Sequence, residues 1–283
     1  MSSIQRHEGM IVALSPIQHG GDEKTGSTPV LRSLTHWDSA AARHVRLPFF
    51  SGNAIRGILR RLLMRDMCER LGYEVRSPKM HHALFTGGVL EGTDEAAGFI
   101  DLAFRVAIRD TIPPLALLGS AVGNQMIQGC LRVDHAMPIC REYAALLGHV
   151  DDPRKEQSIR TFTDVSFATR RDDLRAERGA DEQAQQMKIE FESFISGTAF
   201  AHSFTLAWAS PIEASCLGRG IALLAELPYI GGKSSSGYGR VAYHYPTAPS
   251  PDAYLAYLDE HREKVVTVLD DLALRLDGKR KAA

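Results

Sequence analysis

Apolar residues recur at Ile55, Ile58, Leu59, Leu62 and Leu63, a helical stripe that predicts an amphipathic helix within 47–72. Ser51 and Asn53 are its candidate N-caps, and Gly72 supplies a C-terminal stop. A similar stripe through Leu258, Val265, Leu269, Leu272 and Leu276 predicts a last helix over 252–276, and a further helix is expected over 215–227. Alternation takes over elsewhere. Ile100, Leu102, Phe104, Val106 and Ile108 predict a strand over 99–110, and Phe200, Phe204, Leu206 and Trp208 a buried strand over 198–209. Further strands are expected over 9–21, around 129–137 and over 240–246.

Residues 22–46 show no sustained period and read as a long loop, and 73–97 are irregular. From 147 to 188 the chain is polar and dense in charge, with "RRDDLRAERGADEQAQQ" at its centre. Such a tract buries little and is expected to be a mobile hairpin tip or loop. Strand-like "TFTDVSF" (161–167) and "MKIEFESF" (187–194) flank it, two arms of a protruding β-hairpin. The pattern as a whole predicts a single α+β domain over 1–283, with a helical and loop insertion at 65–97 and a hairpin insertion at 155–194.

Composition adds little to this picture: 44% hydrophobic and 24% charged residues are ordinary globular material. No apolar run reaches a membrane-spanning length, and the opening residues lack signal-peptide order, so no membrane association is expected. Four cysteines without C-x-x-C spacing and eleven scattered histidines predict a reduced cytoplasmic protein with no metal and no cofactor. Charge is more informative. The net value of −1 hides segregation, with Arg43, His44, Arg46, Arg56, Arg60, Arg61 and Arg65 within 23 positions. The acids gather at 91–101 and 172–182. A neutral chain so divided can present one basic face to nucleic acid.

The stretch "GGKSSSGYGR" (231–240) raises the question of phosphate. Gly232-Lys233-Ser234 imitates the end of a mononucleotide loop, but that loop needs a glycine at position 227, where Leu227 stands with Pro228 behind it. No G-x-G-x-x-G occurs in the stretch either. What remains open is a phosphate cradle of another kind, or a helix-to-strand turn whose serines face water.

Four segments in order decide between these. "LPFFSGNAIRGILRR" (47–61), "LALLGSAVGNQMIQGCLRVDHAMPI" (115–139), "ESFISGTAFAHSFTL" (192–206) and "GGKSSSGYGRV" (231–241) together resemble the RAMP superfamily of CRISPR-associated proteins. Within it the chain most resembles the Cas-seven group, the backbone subunits that line CRISPR RNA in effector complexes. Phe-Phe-Ser-Gly-Asn, a divergent form of the first motif, points towards the type IV systems.

This resemblance implies a modified RRM-like (ferredoxin-like) core with an inserted hairpin "thumb" that folds over the guide between neighbouring subunits. It implies contacts to phosphate and ribose, which are blind to spacer sequence. Ser51 and Asn53 would offer a helix N-terminus to phosphate, with Arg56 and Arg60 adding charge. Gly232, Lys233, Ser234, Ser235 and Ser236 would grip from the other side. Arg46 and His44 would reach the guide from the preceding segment, and Phe162 and Phe167 would wedge against bases from the hairpin. The implied partners are CRISPR RNA, head-to-tail copies of the chain, other effector subunits and a complementary target strand of DNA or RNA. Catalysis is not expected. The aspartate with which type III relatives cut RNA would fall at Ser27, before "TPV", and a serine cannot supply its charge. The competing reading is a guide-processing endoribonuclease of the same superfamily, with His44 or His36 near Lys233 as acid or base.

Overall fold

A computed structural model describes residues 3–25, 28–38, 42–90, 101–123, 125–171 and 186–278. The hairpin-tip tract at 172–185, most of the acidic 91–101 stretch and Ser27 lie outside the described residues. The chain opens with β1 (Ile4–Ala13), then β2 (Gly20–Thr25), β3 (Thr28–Leu31), β4 (Ser33–Asp38), β5 (Arg43–Pro48) and α1 (Gly52–Leu71). A short α2 (Pro78–His81) runs into a π-helical turn at His82–Thr86, followed by β6 (Gly88–Leu90), α3 (Leu102–Thr111), α4 (Pro113–Leu118), β7 (Ser120–Gly123) and β8 (Gln125–Ile127). Next come β9 (Leu131–Val133), β10 (Met137–Pro138), β11 (Thr163–Arg171), β12 (Gln186–Phe194), β13 (Ala199–Ala207), α5 (Pro211–Glu226), β14 (Val241–His244), α6 (Asp252–Glu260) and α7 (Arg262–Leu276).

The fold is α+β. Its centre is an antiparallel sheet in which β13 and β1 pair along nine positions, β14 flanks β1, and β9 and β10 share the far edge of β13. Alternate residues of the two central strands point to one side, so Ile11, Phe200 and Phe204 join the core with Ile55, Leu59 and Leu63 of α1 and Cys216, Leu217 and Leu224 of α5. The two helices cross closely because Gly220 has no side chain; a Cβ there would lie 2.5 Å from Leu59 Cδ1. Ser210 and Glu213 close a capping box at the start of α5, just before Pro211 at its first turn.

The helix within 47–72 and the hairpin arms take the forms the pattern predicts, and so does the buried strand near 198–209 except at Trp208, which lies past its end and is exposed. β11 and β12 pair antiparallel from Thr163–Phe194 outward. Three expectations are corrected. Where 22–46 is expected to be a loop, its described residues form two ribbons, β2–β3 and β4–β5. The β4–β5 ribbon has much of both faces open to solvent, so it carries no alternation to read. The 99–110 alternation is not a strand: Asp101 accepts the Phe104 amide at 2.9 Å as an N-cap, and α3 buries Ile108 and Thr111 while Leu102 and Val106 stay in water. Two turns of helix carry apolar residues at even positions to different faces, which mimics a strand. Finally, the single helix over 252–276 is two, broken at His261 with φ −113° and ψ 20°.

Candidate nucleic-acid interface

Three consecutive residues, 17–19, tie together the parts that the sequence singles out. Ile17 exchanges backbone hydrogen bonds with Phe194 at the base of the hairpin, both 2.9 Å. The carbonyl of Gln18 accepts the Gly232 amide at 2.8 Å, which seats the glycine loop. His19 Nε2 accepts the Ser51 amide at 3.1 Å, at the start of α1. Glycine loop, hairpin base and helix start therefore meet along one short stretch of backbone, although they lie as far apart in sequence as Ser51 and Gly232.

The helix start is built differently from the expected open cradle of amides. Ser51 makes no side-chain cap, and it and Gly52 are buried. The Gly52 amide donates to His135 Nδ1 at 3.0 Å. Two imidazoles thus take the place of an acidic cap, leaving exposed Asn53 as the first residue of α1 open to a ligand. Burial, then the charges of Arg32 and His135, hold His19 down at about 4, so near neutral pH it is an uncharged acceptor. Gly52 is required at this seat: a Cβ would lie 2.3 Å from the Asp134 carbonyl oxygen and 2.5 Å from that of Val133. Gly52→Ala is expected to cost about 2 kcal/mol by pushing α1 off this strand, measurable as a shift in urea midpoint at constant m.

His19 has a counterpart in His202, buried on β13 with Nδ1 2.6 Å from the Tyr245 hydroxyl. Burial also holds His202 at about 4. Both folded values lie below the free imidazole value of about 6.5, so the unfolded chain binds more protons between pH 6.5 and 4. Stability is complete above that window and is lost as pH falls through it, by roughly 3 kcal/mol for His202 alone. Thermal midpoints measured from pH 8 to pH 4.5 should stay level to about 6.5 and then decline; a flat profile would contradict this.

Arg56 and Arg60 differ from the solvent-facing charges that their spacing suggests. Arg60 is only 6% exposed, and its guanidinium donates to the carbonyls of Leu84, Leu118 and Gly119 at 3.3, 3.0 and 2.7 Å. Arg56 donates to Leu131 O at 2.9 Å and to Leu118 O. These side chains knit α4, the π turn and β9 onto α1. Burial and the neighbouring Arg56 charge lower Arg60 to about 10, and burial, then Arg132, lower Arg56. Among the described residues neither guanidinium has a carboxylate partner; their contacts are to carbonyls. A shallow cleft of about 720 Å³ opens over them, lined by Asn53, Arg56, Met126, Gln128, Arg132 and His135.

On the other side of residues 17–19, Lys233 has a left-handed backbone (φ 60°) and lays its ammonium over the Phe191 ring at 4.7 Å. Tyr238 packs edge-on against Phe191 and donates its hydroxyl to Phe167 O at 3.4 Å. Ser234, Ser235 and Ser236 form an exposed single turn. The loop is thus docked on the hairpin by its lysine and tyrosine, with its serines outward. Phe167 is exposed, with Lys188 4.3 Å over its ring. Phe162 is not a wedge: it lies before β11 and is buried in the core. His44 and Arg46 stand on the exposed β4–β5 ribbon, where His44 packs against Trp37 directly across at 5.0 Å. Trp37 is itself about half exposed. The sequence reading missed Gln18, His19 and His135, all of which act through backbone amides distant in sequence.

Among the described residues no cluster of three or more potential ligands could hold a metal, and no helix is long and apolar enough to cross a membrane. No protein-family model matches the chain, and no curated protein matches it in sequence. Its fold is shared with a solved chain described as "Type IV-B CRISPR Complex", with a TM-score of 0.63 and 21% identity over 86% of this chain and 92% of that one. At that identity the likeness defines a class of fold.

Proposed function

We infer that this chain is a non-catalytic backbone subunit of a CRISPR effector complex, which binds CRISPR RNA through its sugar-phosphate backbone and lines it in head-to-tail copies. The observation that carries this reading is the meeting of glycine loop, hairpin base and helix start along residues 17–19. That junction joins the exposed serine turn and Lys233 to a cleft over Arg56 and Arg132 whose lining, among the described residues, holds no carboxylate. Such an arrangement reads phosphate and shape without reading bases, which a guide of arbitrary sequence demands. The likeness to a chain of a type IV-B CRISPR complex supports the same reading. The guide contacts we assign are Asn53, Arg56, Gly232, Lys233, Ser234, Ser235 and Ser236, with Phe167 over the bases and His44 and Arg46 from the ribbon. Ser51 and Arg60 hold the groove in shape. Partners are the guide, further copies, other effector subunits and a complementary strand. The guide-cutting alternative rests on His36 and His44, both on the β4–β5 ribbon, where their rings pack on Tyr143 and Trp37.

Expression in bacteria with a CRISPR array, followed by extraction and sequencing of bound nucleic acid, tests the proposal. Protected guide RNA on large particles is the expected result. RNA-free monomer would contradict it, and discrete new RNA ends made by the isolated protein would favour the nuclease.

A further inference from the structure

Past the cleft, along the same stripe of α1, lies a second hollow of about 580 Å³. Arg61 and Arg65, one turn apart on α1, line it together with Arg56, Arg60, His81 and Phe85. Gly57 also lines it, and a Cβ there would meet only the Arg61 guanidinium, at 3.4 Å. Among the described residues no carboxylate lines this bay. Arg61 and Arg65 are exposed and, among the described residues, have no acidic partner. Several other arginines are paired, Arg70 with Asp259, Arg219 with Asp66, Arg109 with Glu213 and Arg275 with Asp101.

Two further observations set the bay apart from a solvated helix face. The His81 ring is stacked on Phe85, centroids 4.8 Å apart and planes 19° from parallel, with His81 exposed. The wall that carries Phe85 is the π-helical turn at His82–Thr86, a rare geometry concentrated at functional sites. Arg60 fixes that turn from beneath through Leu84 O. A charge-dense floor, an unpaired arginine pair and an aromatic shelf are thus held on rigid elements.

We propose that this bay binds one nucleotide unit of a single strand, with its phosphate between Arg61 and Arg65 and its base laid on His81. The volume suits one nucleotide, and stacking with charge is the chemistry of sequence-tolerant single-strand binding. The inference rests on the guide-binding reading only for where the strand comes from: the guide itself, or a second strand brought to the loaded particle.

The test compares wild type, R61Q/R65Q and H81A, using a labelled oligouridine on RNA-free protein and a labelled complementary strand on guide-loaded particles. The altered side chains are exposed, so unchanged thermal midpoints serve as the folding control. R61Q/R65Q should flatten the log–log salt slope by about 0.7, the value for one phosphate contact on a single strand. H81A should weaken binding about tenfold and leave that slope intact. Lost guide retention in R61Q/R65Q assigns the strand to the guide; lost uptake of the complement alone assigns it to a second strand. Slopes and affinities equal to wild type in both arms overturn the bay and leave the guide groove standing. Oligouridine binding that depends on Arg61 and Arg65, in a wild type that retains no guide, overturns the groove reading and keeps the bay.

Discussion

Arg60→Ala is expected to lower stability by about 3–5 kcal/mol and the thermal midpoint by about 10 °C. The guanidinium is buried and donates to Leu84, Leu118 and Gly119 carbonyls. Truncation leaves the Leu84 and Gly119 carbonyls without this donor and Leu118 O with Arg56 alone, opens a void the size of the side chain and loosens the π turn and the end of α4 together. Arg60→Lys should recover only part of the loss, because one ammonium cannot span three carbonyls as a planar fork does. Any RNA-binding defect of an Arg56/Arg60 double variant must therefore be read beside its melting curve. A loss under 1 kcal/mol for Arg60→Ala would show that the guanidinium is not the brace described here.

Lys233→Glu is expected to have the largest effect on guide retention, at least about tenfold at moderate salt, with a thermal midpoint close to wild type. Lys233 holds the loop against Phe191 beside the hairpin base, and its backbone orients the serine turn. Reversal removes a phosphate-attracting charge, adds a repulsive one and loses the cation–π contact, which is worth about 0.5–1 kcal/mol. Lys233→Gln should show the smaller loss and a shallower salt slope, by about 0.7 per phosphate on single-stranded RNA. Retention equal to wild type in both variants, at several salt concentrations, would take Lys233 out of the groove.

Much of this architecture is legible in the sequence where burial on one face imposes a period. Ile55, Leu59 and Leu63 announce α1, and Phe200, Phe204 and Leu206 announce β13. Periodicity fails for the β4–β5 ribbon, because a two-stranded ribbon open on much of both faces leaves no pattern. It misleads at α3, where the informative signal was Asp101 three residues before Phe104. Arg60 was readable in principle. Met64 and Met67, four and seven positions on, are fully buried, so Arg60 shares their arc and its charge had to find partners indoors. His19 and His135 were not readable, since nothing local ties an imidazole to an amide 32 or 83 positions away. The glycine stretch was legible as a phosphate-compatible loop, but its docking on the hairpin is a tertiary fact.

The central claim is that copies of this chain line a guide RNA through its backbone. Native mass measurement of particles assembled on guides of two lengths and unrelated sequences tests it most directly. The account predicts that particle mass rises by whole protein copies as the guide lengthens and does not change with sequence at fixed length. A constant copy number on short and long guides, or a copy number set by sequence, would contradict it.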